Sequence, residues 1–226
     1  MYFISGFSLF LAYVSKLEIV LSGDNRWVVL SNMFGEIIMG QRKYLTQSEV
    51  ESMLEMAKVG ANPERNYCLV YMSFIHGFRV SEARHLRLSD MELNERCLYI
   101  RRLKGGFCTN HPLLRREIRA IKAWLKVRKT FLGADSDWLF LSRSGKPLTR
   151  QRIYQIISRL GQLANIAVVP HPHMLRHACG FALADRGVDT RLIQDYLGHK
   201  NIRHTVRYTA SNAERFQGVW GMKGKR

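Results

Sequence analysis

The sequence predicts a mainly α-helical chain with one small antiparallel β-sheet or hairpin. Apolar residues recur at helical spacing in most segments after Gln41, and these segments open on cap residues or prolines and close on glycines. One stretch, residues 96–113, instead reads as two strand-like segments around Gly105-Gly106. With 226 residues and 46% hydrophobic composition, the chain is long and apolar enough to bury a core.

Residues 1–40 form an apolar N-terminal extension, poor in charge and ending in "EIIMG". Its opening run "MYFISGFSLFLAYVSK" is shorter than the ~20 residues a bilayer span needs. It also lacks the preceding positive charge and following cleavage site of a signal peptide, so the chain is expected to be soluble. The regular domain spans residues 41–226. Thr46 begins a capping box with Glu49, and Val50, Met53, Leu54 and Ala57 then share one helical face. Asn62-Pro63 sets a cap before a proline at the first helical position. Cys68, Leu69, Met72 and Ile75 form that helix's stripe, and Gly77 stops it. Gly105-Gly106 suits the positive φ of a hairpin turn and places Lys104 beside it. Helical patterns resume over Arg116 to Lys129 and again from Thr149, with Ile153, Ile156, Ile157 and Leu160. His171-Pro172 opens a helix that Gly187 closes. Asp189 caps another, bearing Leu192, Ile193, Tyr196 and Leu197 and closed by Gly198.

Charge narrows the partner. Lys and Arg number 35 against 18 Asp and Glu, a formal +17. Residues 1–40 hold only Lys16 and Arg26 against Glu18, Asp24 and Glu36, so the whole excess belongs to the body of the protein. Basic residues spread over helices and loops favour nucleic acid, ahead of an anionic membrane surface, as the polyanionic partner. The four cysteines, Cys68, Cys97, Cys108 and Cys179, form no C-x-x-C pair. This fits a reducing, cytoplasmic setting and excludes a cysteine-rich zinc module.

"HPHMLRHACG", residues 171–180, puts three histidines and an arginine into seven positions. His173, Arg176 and His177 share a helical face. The H-x-x-x-H spacing can hold zinc, but the glutamate of H-E-x-x-H is missing and Arg176 sets a permanent cation beside the metal, so no metal is expected. "GFRVSEARHL" supplies Arg79, the hairpin supplies Lys104, and "LGHKNIRHTVRYTA" supplies His199 and Tyr208. Arginine forks suit the non-bridging oxygens of a phosphate, a histidine adds a donor, a tyrosine hydroxyl can attack and a lysine can protonate the departing oxygen. Two arginines, a lysine, two histidines and a tyrosine thus suit attack on a phosphodiester without metal or cofactor. Taken singly they mean little: Tyr71, Tyr154 and Tyr196 are equal nucleophile candidates on residue type, although Tyr196 lies on an apolar helix face and reads as core packing.

The ordered set Arg79-x-Ser81-Glu82, Lys104, His173-x-x-Arg176-His177, Leu197-Gly198-His199 and Tyr208 resembles the tyrosine recombinase (phage integrase) family over about residues 44–220. Within it, "RRLKGGF", "HPHMLRHACG" and "DTRLIQDYLGHKNIRHTVRYTASNAERF" are most similar to the fimbrial phase-variation DNA invertases. The resemblance implies a tyrosine recombinase catalytic domain without a full N-terminal core-binding domain. It implies Tyr208 as nucleophile, Arg79, Arg176 and His199 as phosphate and transition-state binders, Lys104 as general acid to the 5′-oxygen and His173 as general acid/base. Glu82 and His177 match supporting positions. Also implied are a 3′-phosphotyrosyl intermediate, inversion of double-stranded DNA between inverted repeats, and a homotetramer on two sites. Accessory DNA-bending proteins and a cytoplasmic, nucleoid-associated location fit the same picture.

Arg101, Arg102, Arg150, Arg152 and Arg203 are the expected DNA contacts, each of which is equally readable as a solvated charge. Phe216, Val219 and Trp220 share a helical face that packs either on a neighbouring subunit or on its own domain. Two other functions compete: a DNA-binding transcriptional regulator with little strand exchange, and a type IB topoisomerase-like enzyme.

The composition changes abruptly at Gln41 and Met39 can itself start translation. Residues 1–38 are therefore expected to be dispensable, and a chain beginning at Met39 should melt and invert DNA like the full-length chain. Aggregation, earlier melting or lost inversion of the shortened chain would instead show that the apolar segment packs as a helix on the catalytic domain or on a partner subunit.

Overall fold

The computed structural model describes residues 42–102 and 108–210. Helices α1 (Gln47–Ala57), α2 (Pro63–Ile75) and the short α3 (Val80–Arg84) come first, followed by a 3-10 turn (Leu88–Asp90). Strands β1 (Met91–Glu92), β2 (Cys97–Ile100) and β3 (Thr109–Pro112) form an antiparallel sheet in that order. Leu98 pairs with Met91 on one side and His111 on the other. Helices α4 (Arg115–Arg128), α5 (Arg150–Leu163), α6 (Pro172–Asp185), α7 (Thr190–Leu197) and α8 (Arg203–Ala210) complete the described chain. Residues 1–40, the hairpin turn with Lys104, and Phe216, Val219 and Trp220 lie outside the described residues. Among the described residues no helix is long and apolar enough to cross a membrane.

The helix starts follow the local chemistry. Thr46 and Glu49 exchange reciprocal bonds, Thr46 N–H donating to Glu49 Oε2 at 2.8 Å and Glu49 N–H to Thr46 Oγ1 at 3.2 Å. The Thr149 hydroxyl accepts from Arg152 N–H at 3.0 Å, and the Asp189 carboxylate accepts from the N–H groups of Arg191 and Leu192. Asn62 behaves differently. It precedes Pro63 as expected, but it adopts a left-handed conformation, φ 57°, and its side chain caps nothing at the helix start. Its carboxamide therefore adds no cap bond, and the proline at the first helical position needs none.

Helix α2 lies at the centre of the domain. Cys68 to Phe74 are buried without a break, where the sequence suggested one stripe. A helix apolar on all sides is one surrounded by others, and α1, α4 and α6 pack around α2. A second, smaller cluster gathers Cys179, Ala184, Ile193, Leu197 and Tyr208 where α6, α7 and α8 meet. Leu192, expected in that stripe, is 58% exposed. Tyr196 packs against the cluster as expected, its hydroxyl donating to the Ile75 carbonyl at 3.0 Å. The sequence showed no pattern for α8, because an eight-residue helix, "RHTVRYTA", carries too few apolar positions to display a period.

Candidate active site

The C-terminal end of α7 is where the candidate site assembles. A helix end leaves its last carbonyls without intrahelical donors and carries partial negative charge. Here three consecutive carbonyls each receive a different arginine. Arg102 donates to Tyr196 O at 2.6 Å, Arg176 to Leu197 O at 2.7 Å and Arg79 to Gly198 O at 3.2 Å. Arg176 also donates to the Gly77 carbonyl, just past the end of α2, at 2.5 Å.

The same arginines surround one carboxylate. Glu82, in the first turn of α3, accepts from the Arg79 backbone N–H at 2.9 Å, which fixes the side chain over the helix start. Its Oε1 accepts from Arg79 Nη1 and its Oε2 from Arg102 Nη1, both at 2.7 Å, while Arg176 Nη1 lies 3.9 Å away. The side chains of Glu82, Arg102 and Arg176 are buried, and that of Arg79 is 25% exposed. One carboxylate against three guanidiniums leaves a positive excess facing outward through Arg79. Burial, and then the Arg79 charge, pull Arg176 down to about 10, and burial lowers Arg102 as well.

Gly198 is required at the join. Its φ is +64°, and a Cβ there would lie 2.9 Å from Arg102 Nε. The next residue, His199, is held through its backbone: its N–H donates to Gln194 O at 3.0 Å and its carbonyl accepts from Gln194 Nε2 at 2.9 Å. The ring Nδ1 shares a bond with Thr205 Oγ1 at 2.8 Å.

Tyr208, on α8, is 1% exposed. Phe181 meets its ring edge-on with centroids 5.1 Å apart, and the His199 ring stacks at 6.2 Å. Gly180 makes room for it, since a Cβ at that position would lie 2.6 Å from the tyrosine ring. The hydroxyl lies 2.9 Å from His177 Nδ1. His177 in turn meets the ring of His173, one turn earlier on α6, at a centroid separation of 4.4 Å. Burial is the main cause that pulls His177 and His199 down to about 3, so both are neutral near pH 7, and burial raises Tyr208.

The structure thus brings together Arg79, Glu82, Arg176, His177, His199 and Tyr208, with His173 exposed at the edge. Among the expected DNA contacts, Arg150, Arg152 and Arg203 are exposed, and Arg101 is half-exposed and paired with Asp90 at 2.8 Å. Arg102 differs: it points inward. Along this strand Leu98 faces in, Tyr99 out, Ile100 in and Arg101 out, so the two-residue period sends Arg102 into the core. That alternation was the available signal for it. Gly180, Thr205 and the α7 carbonyls had no sequence signal. Among the described residues no group of three His, Cys, Asp or Glu side chains is placed to hold a metal ion.

If Glu82 is the shared counter-charge of these arginines, Glu82→Gln should destabilise the domain by about 3–5 kcal/mol, because buried guanidiniums lose their ion pair while side-chain volume is kept. Denaturant unfolding of the two proteins measures this, and a change within 0.5 kcal/mol, roughly the level of a neutral surface substitution, would show the α7 carbonyls to be sufficient.

Comparison with known proteins identifies the family. Residues 43–215 match the Phage integrase family. The chain is 59% identical over 180 residues to the type 1 fimbriae regulatory protein FimB of Escherichia coli (strain K12), covering 80% of this chain and 90% of that protein. It is 53% identical over 183 residues to FimE of the same strain, covering 80% and 92%. Among solved structures, XerA recombinase superposes with a TM-score of 0.68 at 28% identity, over 81% of this chain and 65% of that one. XerH site-specific recombinase, in a post-cleavage complex with its palindromic difH substrate, gives 0.67 at 27%, over 79% and 52%. This chain therefore spans between half and two thirds of those solved chains. By sequence, and by the catalytic-domain fold it shares with these recombinases, the chain belongs to the phage integrase family of tyrosine recombinases.

Proposed function

We propose that this chain is a site-specific recombinase that inverts a DNA segment between inverted repeats, and so switches fimbrial gene expression by phase variation. The observation that carries the proposal is the meeting of Arg79, Arg176, His199 and Tyr208, from separate elements, around the end of α7. The similarity to FimB and FimE supports the fimbrial assignment.

In this reading the scissile phosphate of double-stranded DNA lies against the guanidiniums. Arg79 and Arg176 each use two of their five N–H donors on protein oxygens, and the others suit the non-bridging oxygens, as does a His199 N–H. Tyr208 Oη attacks phosphorus, the bond to the 5′-oxygen breaks, and that oxygen takes a proton from Lys104. The family resemblance gives His173 a general acid/base role and Glu82 and His177 supporting ones. One phosphodiester replaces another, so the 5′-hydroxyl can reverse the step without a nucleotide cofactor. The chain acts as a homotetramer on two sites in the bacterial cytoplasm, at the nucleoid, with accessory DNA-bending proteins. Arg101, Arg150, Arg152 and Arg203 contact the duplex.

On a nicked duplex carrying the repeats, wild-type protein should form a covalent band in denaturing electrophoresis, with or without EDTA. Tyr208→Phe removes one oxygen and no charge, so it should abolish the band while DNA binding persists. An adduct formed by Tyr208→Phe would move the nucleophile elsewhere, and a loss in EDTA restored by zinc would revive a metal role for the histidines.

Lys104→Ala should slow cleavage of the normal strand by about 100-fold or more, the range of general acid catalysis. A strand whose bridging 5′-oxygen is sulfur needs little protonation to leave, so it should be nearly unaffected. Equal slowing of both substrates would assign Lys104 to DNA binding.

A further inference from the structure

We infer that His177, beyond supporting the site, is the group that takes the proton from Tyr208 as its oxygen attacks phosphorus. The inference rests on Tyr208 being the nucleophile, as proposed above. A phenol hydroxyl becomes an effective nucleophile only when a base removes its proton in the transition state. Among the described residues, the hydrogen bond of the Tyr208 hydroxyl is to His177 Nδ1, at 2.9 Å, within the reach a general base needs. Among the described residues no hydrogen bond joins His173 to this hydroxyl; its ring meets that of His177 edge-on at 4.4 Å.

The pairing has a defined direction. His177 is neutral and buried and Tyr208 keeps its proton; the role inferred here requires the tautomer with its hydrogen on Nε2, in which Nδ1 accepts from the tyrosine O–H. Three features hold the pair in register. Arg176, the preceding residue, is tied to Gly77 O and Leu197 O, which fixes that turn of α6. Gly180, three residues on, admits the tyrosine ring. Phe181 closes its other edge.

The step balances. The Oη–H bond breaks and its proton passes to Nδ1, an Oη lone pair forms the bond to phosphorus, and the departing 5′-oxygen is protonated by Lys104. On religation the 5′-hydroxyl returns its proton to Lys104, and Nδ1–H returns its own to Oη. The surroundings also tie this transfer to DNA. Desolvation and the nearby His173, Arg207, Arg176 and His171 oppose a charged imidazole in the free protein. A phosphate lodged against the arginines offsets their positive charge, so His177 becomes a competent base when substrate is bound.

His177→Asn tests the assignment, because the carboxamide oxygen can occupy the Nδ1 position and accept the hydrogen bond but cannot hold the proton. Adduct formation under single turnover should fall about 100-fold or more, the scale of a lost general base, with DNA affinity and melting temperature retained. Placing 2,3-difluorotyrosine at position 208 lowers the phenol pKa and so the need for a base. It should restore at least about 10-fold of the rate to His177→Asn, and much less to the wild-type background. Should His177→Asn fail to fold, His177→Gln is measured in the same way. Wild-type or faster cleavage by the variant, or a defect that fluorination leaves unchanged, would overturn the role of His177. An adduct formed by Tyr208→Phe would instead overturn the choice of nucleophile on which it rests.

Discussion

The site depends on three guanidiniums buried against one carboxylate and one helix end. Charges of like sign do not gather in a protein interior unless their desolvation is offset. Glu82 supplies a full negative charge, and Tyr196, Leu197 and Gly198 supply the carbonyls of the α7 terminus. Together they hold Arg79, Arg102 and Arg176 in place before any phosphate arrives. The arrangement remains short of negative charge, which suits it to the phosphate of the proposed DNA substrate. Pre-formed donors of this kind act with little reorganisation at the moment of reaction.

The same helix end orders the residues that follow. Gly198 turns the chain through a left-handed conformation and leaves space for Arg102, which sets the start of the segment bearing His199. His199 is then held by Gln194 and Thr205, the latter on α8 beside Tyr208. The proposed phosphate-binding and nucleophilic groups therefore share one frame. Tyr208 lies in the small cluster between α6, α7 and α8, away from the main core around α2. A cluster of this size gives α8 fewer apolar anchors than the central helices have.

A second buried polar chain lies beneath the hairpin. His76 Nε2 meets Glu117 Oε1 at 2.5 Å and its Nδ1 meets His111 Nδ1 at 3.1 Å, while His111 reaches Thr109 and stacks on Tyr196 at 3.9 Å. Burial, with the adjacent His76 and Arg102, pulls His111 down to about 3, so its neutral ring bridges the pair without adding charge. The chain links the end of α2, strand β3, the start of α4 and α7. It anchors the strands flanking Lys104 to the helix whose carbonyls hold the arginines.

Local chemistry determined much of this protein. The Thr46–Glu49 capping box, the Thr149 and Asp189 caps and the glycine stops are interactions over a few residues, so they are visible in sequence and recur in the fold. The order of the motif residues was equally legible, because residue type and spacing are enough for a family resemblance. Tertiary packing decided the rest. Arg79, Arg102, Arg176 and Gly198 are separated by tens of residues, and only the docking of α3, the hairpin, α6 and α7 brings them to one carboxylate. Arg102 turned inward through strand alternation, and Leu192 remained outside, although its neighbours Ile193 and Leu197 are buried where α7 meets α6 and α8. The contact between His177 and Tyr208 likewise exists because Gly180 lets a ring from α8 lie against α6. Spacing along one helix predicts which residues share a face; it carries no information about which distant side chain will be pressed against that face.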